Sequence, residues 1–337
     1  MITLYPGYKR GFGTLQSFLS GYRSATGVDL YPFSCARAAM VFGLRALGFQ
    51  RNDETYVPPF LGHCVLSALA RTAFPARIPS KRTRAILVYH QFGFPQRIDR
   101  IEALAKKKKW IIINNMANTL FSQYRGEYLM GWGDLSVVSL SKLFPCAMGG
   151  GIVSRNSAIW KSWTTASRQD QGVQRVWVEK AHRILRQYHR KHKKEDSIGD
   201  VSYDIEGVYG YLPELIPFPD CSAGSLPQTT KELLCEGQRR RTLWWIAQEM
   251  LPHRVPHCDD SDIVPFAIPI QGSQNELKEW SRSIWEDCRV VVPLLHFDWN
   301  RNMVEPDYRL SLAVGCHAQW TETIVRRICA IIRSRAH

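Results

Sequence analysis

No two cysteines stand in a C-x-x-C arrangement. The nine that are present, Cys35, Cys64, Cys146, Cys221, Cys235, Cys258, Cys288, Cys316 and Cys329, are scattered along the chain. That absence argues against a zinc site and against a disulfide framework, and it suits a reducing, cytoplasmic setting. No apolar run approaches the roughly 20 residues that cross a bilayer, so no transmembrane segment is expected. The opening MITLYPGYKRGFG lacks the apolar stretch of a secretory leader. Acidic residues are comparatively few: 30 Asp and Glu stand against 44 Lys and Arg, a formal net charge of +14. Such a surplus favours polyanions, whether phosphorylated small molecules, nucleic acid or an anionic surface. It is spread over AKKKKW, RQYHRKHKKE and GQRRRTLWW, with no zinc-finger, RRM or P-loop signature beside it, so no specific nucleic acid partner is expected.

What is present is a long alternation of segments. CARAAMVFGLRALGF (35–49) has helical spacing, ETYVPPF (54–60) reads as a strand, and LGHCVLSALARTA (61–73) is helical again. RAILVYH (84–90) and WIIINN (110–115) are apolar runs of the kind buried in parallel sheets. Between them QRIDRIEALAKKKK (96–109) is an amphipathic helix, and LSVVSL (135–140) and GGIVS (150–154) are two further strands. This order predicts an α/β large domain with a mostly parallel sheet covered on both faces. Helices are expected at 173–194, 228–251, 275–288 and 321–334, and strands at 264–270, 289–295 and 308–314. The later elements read as a smaller α+β domain. The sequence places the boundary after residue 215, giving domains at 1–215 and 216–337.

In open α/β sheets ligands gather at the carboxyl ends of the strands. Those ends carry His90, then Asn114 and Asn115, then SVVSLSKLFPCAMGGG with Ser139, Ser141 and Lys142. A helix opening near residue 36 adds backbone N–H donors for an anion. A phosphate anchor, a lysine amine and a polar partner for a ring nitrogen are what pyridoxal 5'-phosphate (PLP) requires. The three glycines that follow would let the returning backbone pass close to the cofactor.

These stretches resemble the DegT/DnrJ/StrS-type sugar aminotransferases, PLP enzymes of fold type I. CARAAMVFGLRALGFQRNDETYVPPFLGH is similar to that family's S-G-T-x-A-L helix followed by G-D-E-V-I-V-P. TRAILVYHQFGFPQRIDRIEALAKKKKWIIINNMANTL is similar to K-A-I-x-x-V-H-x-x-G and V-I-E-D-x-A-Q, and YRGEYLMGWGDLSVVSLSKLFPCAMGGG to G-x-x-x-G-x-x-G-D-x-x-x-x-S-F…K with its glycines. The resemblance implies that Lys142 holds the cofactor covalently, that Ser139 binds its phosphate, and that Ala36 and Arg37 supply the amides of the phosphate turn. It implies Asn115 where the family has the aspartate that contacts the pyridine nitrogen, Asn118 at the Gln/His position of the same motif, and either His63 or Phe60 over the ring. His90 is placed either to approach substrate or to pack as a structural histidine; His296 and His317 are read as structural.

By the same resemblance the reaction is transamination of a nucleotide-linked keto-sugar, with an amino acid donor such as glutamate, in a homodimer; polysaccharide biosynthesis is the setting. Lys142 argues against the dehydratase branch, where a histidine replaces the lysine. Three departures from the pattern stand out: Asn115 for aspartate, a shortened S-x-x-K spacing, and Arg37 for threonine. The alternative reading is a catalytically impaired homologue with a binding or regulatory role.

Overall fold

A computed structural model of the chain describes residues 2, 4, 6, 11–146, 148–166, 218 and 223–335. In chain order the first elements are α1 (Leu15–Thr26), β1 (Tyr31–Phe33), α2 (Ala36–Ala46), β2 (Glu54–Tyr56), α3 (His63–Leu69), β3 (Phe74–Ala76), β4 (Thr83–Tyr89), α4 (Ile98–Lys108) and β5 (Ile111–Met116). A small ribbon, β6 (Gln123–Tyr124) and β7 (Glu127–Tyr128), leads to β8 (Leu135–Ser139), the single turn α5 (Leu140–Leu143), β9 (Gly150–Val153) and α6 (Ser157–Ala166). After the next described residues come α7 (Thr230–Met250), β10 (Ser261–Asp262), β11 (Ala267–Gln271), α8 (Gln274–Cys288), β12 (Leu294–Asp298), β13 (Tyr308–Gly315) and α9 (Glu322–Ser334). The helix expected at 173–194 and the domain boundary expected at 215/216 lie outside the described residues.

The main sheet has seven strands in the order β1-β9-β8-β5-β4-β2-β3. β9 is antiparallel to both its neighbours, and every other strand runs in one direction. The α/β fold read from the sequence is therefore present, with one reversed strand in a mostly parallel sheet. Period-two alternation divides the side chains between two faces. Ala85, Leu87, Ile113, Leu135, Val137 and Ile152 pack with α2 in one apolar cluster. Ile86 and Val88 pack with Ile101 and Ala105 of α4 on the other face. α4 matches its sequence reading closely: Ile98, Ile101 and Ala105 are buried, Asp99 lies in the first turn and Lys106–Lys108 in the last, which complements the helix dipole.

The C-terminal module is an antiparallel sheet, β11-β13-β12, with α8 packed on β13 and α9 packed on α8 and α7. α8 opens with a complete capping box, Ser273 and Glu276 each accepting from the other's backbone N–H. Two expected strands end up elsewhere. The strand expected at 54–60 stops at Tyr56, because Pro58 and Pro59 carry no N–H to extend a ladder. The strand expected at 289–295 begins only at Leu294: Arg289 turns into the left-handed region at the end of α8, and Pro293 cannot donate. Among the described residues no helix is long and apolar enough to cross a membrane.

Candidate active site

The carboxyl ends of β1, β2, β4, β5 and β8 share one edge of the sheet, and β9 starts from that edge. Ser139 closes β8 and pairs in register with Gly150 of β9, which pairs on its other side with Phe33 of β1. A Cβ on Gly150 would stand 2.2 Å from the Ala36 nitrogen and 2.4 Å from the Cys35 carbonyl carbon. This glycine is therefore what allows the start of α2 to lie directly against the end of β8. The glycine run was expected to admit the cofactor; at Gly150 the closely approaching backbone is the first turn of α2 instead. Cys35 caps that helix, its Sγ accepting from the Ala38 N–H at 3.5 Å. Ala36 and Arg37 follow as the first two helical residues, both half-buried.

Lys142 sits one turn beyond Ser139 on α5, half-buried, and makes no hydrogen bond or ion pair among the described residues. The turn is held from two sides. The Leu140 N–H donates to the Gly149 carbonyl at 3.0 Å. On the other side, Arg240 of α7 donates through Nη2 to the Leu143 carbonyl at 2.5 Å, one of the carbonyls that a helix end leaves without a partner.

Asn115 lies on the same face of the sheet as Ser139, because Asn115 pairs with Val137 and Val137 is two residues before Ser139. Its side chain is buried, and its Oδ1 accepts from the Ala117 N–H at 3.1 Å. Tyr89 is the register partner of Asn115 on β4 and shares this face; sequence reading passed over it, although counting back by register from Asn115 finds it. Asn118 is buried just beyond β5, and its Oδ1 has no hydrogen-bond partner.

Asn114 and His90 belong to the opposite face. The His90 Nδ1 accepts from the Gln96 N–H at 3.0 Å, which leaves Nε2 to donate to the Asn114 Oδ1, also at 3.0 Å. The Asn114 Nδ2 in turn donates to the Leu129 carbonyl and to the Ser136 hydroxyl. With both ring nitrogens engaged and no exposed surface, His90 does not reach a substrate, which corrects one of its two sequence readings. Burial pushes its pKa down to about 4, against a smaller upward pull from Asn114. The neutral ring therefore belongs to the folded state, and unfolding takes up a proton between the ordinary value of 6.5 and about 4. Stability should fall as pH drops through that window, by about 3 kcal/mol in all. Denaturant midpoints measured at several pH values should show a flatter slope in His90→Gln.

Neither candidate for the aromatic above the ring joins this cluster through a hydrogen bond or ring contact among the described residues. The Phe60 ring stacks on His296 of β12, centroids 4.1 Å apart and planes within 13°, and meets Tyr308 edge-on at 4.8 Å. His63 is exposed at the start of α3. His317 is buried and accepts from the Trp320 Nε1–H at 3.0 Å.

The run RRR (239–241) was counted with the surface charge, and its middle residue is buried. Arg240 donates to Glu236 at 2.7 Å, to Leu143 and to the Pro265 carbonyl at 3.3 Å. Arg239 joins Glu236 to the Cys316 and Trp320 carbonyls, and Arg241 pairs with Asp262. Burial raises the pKa of Glu236, but the Arg239 hydrogen bond and the Arg240 and Arg239 charges outweigh it and bring the net value below the ordinary one. No local pattern separates these three arginines; their destinations depend on elements distant in sequence. Arg240→Met should cost about 3–5 kcal/mol in denaturant unfolding, since it leaves Glu236 and two carbonyls short of a donor. Arg240→Lys should recover little, because one ammonium cannot reproduce the fork.

PLP fits the polar groups at this edge. Its phosphate would meet the Ser139 end of β8 and the first turn of α2, which lie beside one another, its aldehyde would find the Lys142 amine, which has no hydrogen-bond partner among the described residues, and the unsatisfied Asn118 Oδ1 would be an acceptor for a protonated ring substituent.

Comparison with known proteins agrees with the fold and the cofactor. Residues 22–191 match a family model described as "Putative PLP-dependent aminotransferase". GDP-perosamine synthase of Escherichia coli O157:H7 is 27% identical over 142 residues, 36% of this chain and 39% of that protein. The dTDP-4-dehydro-2,6-dideoxy-D-glucose 3-dehydratase of Saccharopolyspora spinosa is 25% identical over 217 residues, 59% of this chain and 45% of that one. The matches thus span less than half the length of these curated relatives. Among solved structures, the aminotransferase TlmJ of Streptoalloteichus hindustanus superposes with a TM-score of 0.68 at 15% identity, covering 99% of this chain and 98% of its own. DesV of S. venezuelae superposes with a TM-score of 0.64 at 18% identity, covering 97% and 90%. The resemblance to DegT/DnrJ/StrS-type proteins holds, and with half of its length matched by the family model the chain belongs to this family of PLP-dependent aminotransferases.

Proposed function

We propose that the protein transfers an amino group from an amino acid such as glutamate to a nucleotide-linked keto-sugar, with PLP as cofactor. The reading rests on the convergence of Ser139, the start of α2, Lys142 and Asn115 at one edge of the sheet. The sugar is suggested by the names of relatives such as GDP-perosamine synthase, and the basic surplus of the chain suits a diphosphate.

When bound, PLP supplies an aldehyde that accepts the amino group and a ring that spreads the negative charge formed on deprotonation. The chain supplies the rest. Ser139 and the first turn of α2 would hold the phosphate of the cofactor. The Lys142 Nζ would hold the cofactor through its aldehyde and would serve as the amine that takes up and returns a proton during the transfer. Arg240 fixes the turn bearing Lys142 from behind, through the Leu143 carbonyl. Asn115 would be the contact for the ring nitrogen, and two such subunits would share their sites in a homodimer located in the cytoplasm.

The test is to add PLP and glutamate to purified protein and follow the cofactor spectrum. Conversion to the amine form, reversed by a nucleotide-linked 4-keto-sugar, is the expected outcome. A second reading is favoured by one observation, the amide at position 115: a homologue that retains PLP and regulates or binds without turnover. It predicts uptake of PLP with no conversion by glutamate.

A further inference from the structure

We infer that Asn115 donates a hydrogen bond to the cofactor's ring nitrogen, so that this nitrogen is held unprotonated. The inference rests on the reading of Asn115 as the ring contact. An aspartate at this position could accept from the Ala117 N–H with one oxygen and from a pyridinium N–H with the other, because its two oxygens are equivalent. An asparagine cannot do both. Its Oδ1 is committed to the Ala117 N–H at 3.1 Å, and a donor there must face an oxygen. Turning the amide over would set Nδ2–H against N–H inside a buried site and leave that backbone donor unpaired. The group left to face the ring is therefore Nδ2, which only donates and makes no hydrogen bond among the described residues.

A ring nitrogen opposite a fixed donor must present its lone pair. A proton on that nitrogen would also place a positive charge in a buried environment with no free buried carboxylate among the described residues to balance it. Of the buried carboxylates among the described residues, Glu54 lies at the far, amino end of β2, where Arg82 and Thr83 hold it. Asp298 is held by the N–H groups of Asn300, Asn302 and Asp307. Neither is available to stand in for the missing aspartate. The chain therefore has a neutral ring where its relatives' pattern implies a charged one, and the negative charge formed on deprotonation must be carried with less help from the ring.

The experiment is nitrogen-15 NMR of the protein loaded with PLP labelled at the ring nitrogen. The wild-type resonance is expected at the position of a neutral pyridine and should not move with pH across the neutral range. In Asn115→Asp it is expected at the position of a pyridinium. A wild-type resonance at the pyridinium position overturns the inference while leaving the cofactor site standing. An Asn115→Asp resonance identical to the wild type shows that residue 115 is not the ring's partner, and overturns it too. A protein that takes up no PLP defeats the site reading and this inference with it. If Asn115→Asp does not fold, the wild-type resonance alone decides.

Discussion

Lys142→Ala should leave a folded protein that no longer shows the visible absorbance of lysine-bound PLP. Lys142 lies on a half-exposed turn with no partner among the described residues, so its removal breaks no described hydrogen bond or ion pair and should barely change the denaturant midpoint. Its chemistry, by contrast, has no substitute. Loss of the proton-carrying amine alone should lower turnover by roughly 10²–10⁴-fold, the usual contribution of a positioned acid–base group. Arginine at this position should not rescue, because a guanidinium stays charged and supplies no free amine. The pair of measurements is absorbance after dialysis against PLP, and half-transfer with glutamate. A wild-type protein that stays colourless with excess cofactor would refute the assignment of Lys142.

Asn115→Asp should raise the rate, an unusual direction for a substitution in a buried site. A carboxylate would restore an acceptor for the ring N–H together with a balancing charge. If the gain is that of one charged hydrogen bond, about 3 kcal/mol at the upper end, the half-reaction with glutamate should accelerate about a hundredfold. The same substitution should cost stability when no cofactor is present, because it buries a carboxylate with only the Ala117 N–H as donor among the described residues. Stopped-flow measurement of cofactor conversion, beside denaturant unfolding with and without PLP, separates the two effects. An unchanged rate in a folded, PLP-loaded variant would mean that ring protonation does not limit this protein.

Much of the site was legible because the residues concerned are close in sequence and sit at element boundaries. Ser139 and Lys142 bracket the end of a strand, and the helix at 36 starts at a capping residue. Such features follow from local propensity and periodicity, which act over a few residues. His90 was ambiguous for a definite reason. It ends an apolar strand as a substrate ligand might, but the face it occupies is set by the pairing of β4 with β5 and by Gln96, which returns to bond its ring. Phe60 and His63 were ambiguous in the same way, and only β12 decides that Phe60 stacks on His296.

The amino-acid sequence by itself determined the alternation of strands and helices, the lysine and serine at the sheet edge, and the amide where the family has an acid. Tertiary structure alone decided which of two adjacent asparagines shares the sheet face of Ser139, that one arginine of three is buried against the Lys142 turn, and that Gly150 admits a helix. The reason is range. Periodicity assigns a residue to a strand and to alternate sides, but which side is covered, and by what, depends on strand pairing and on segments about a hundred residues away, as with Arg240 and Leu143, 97 positions apart.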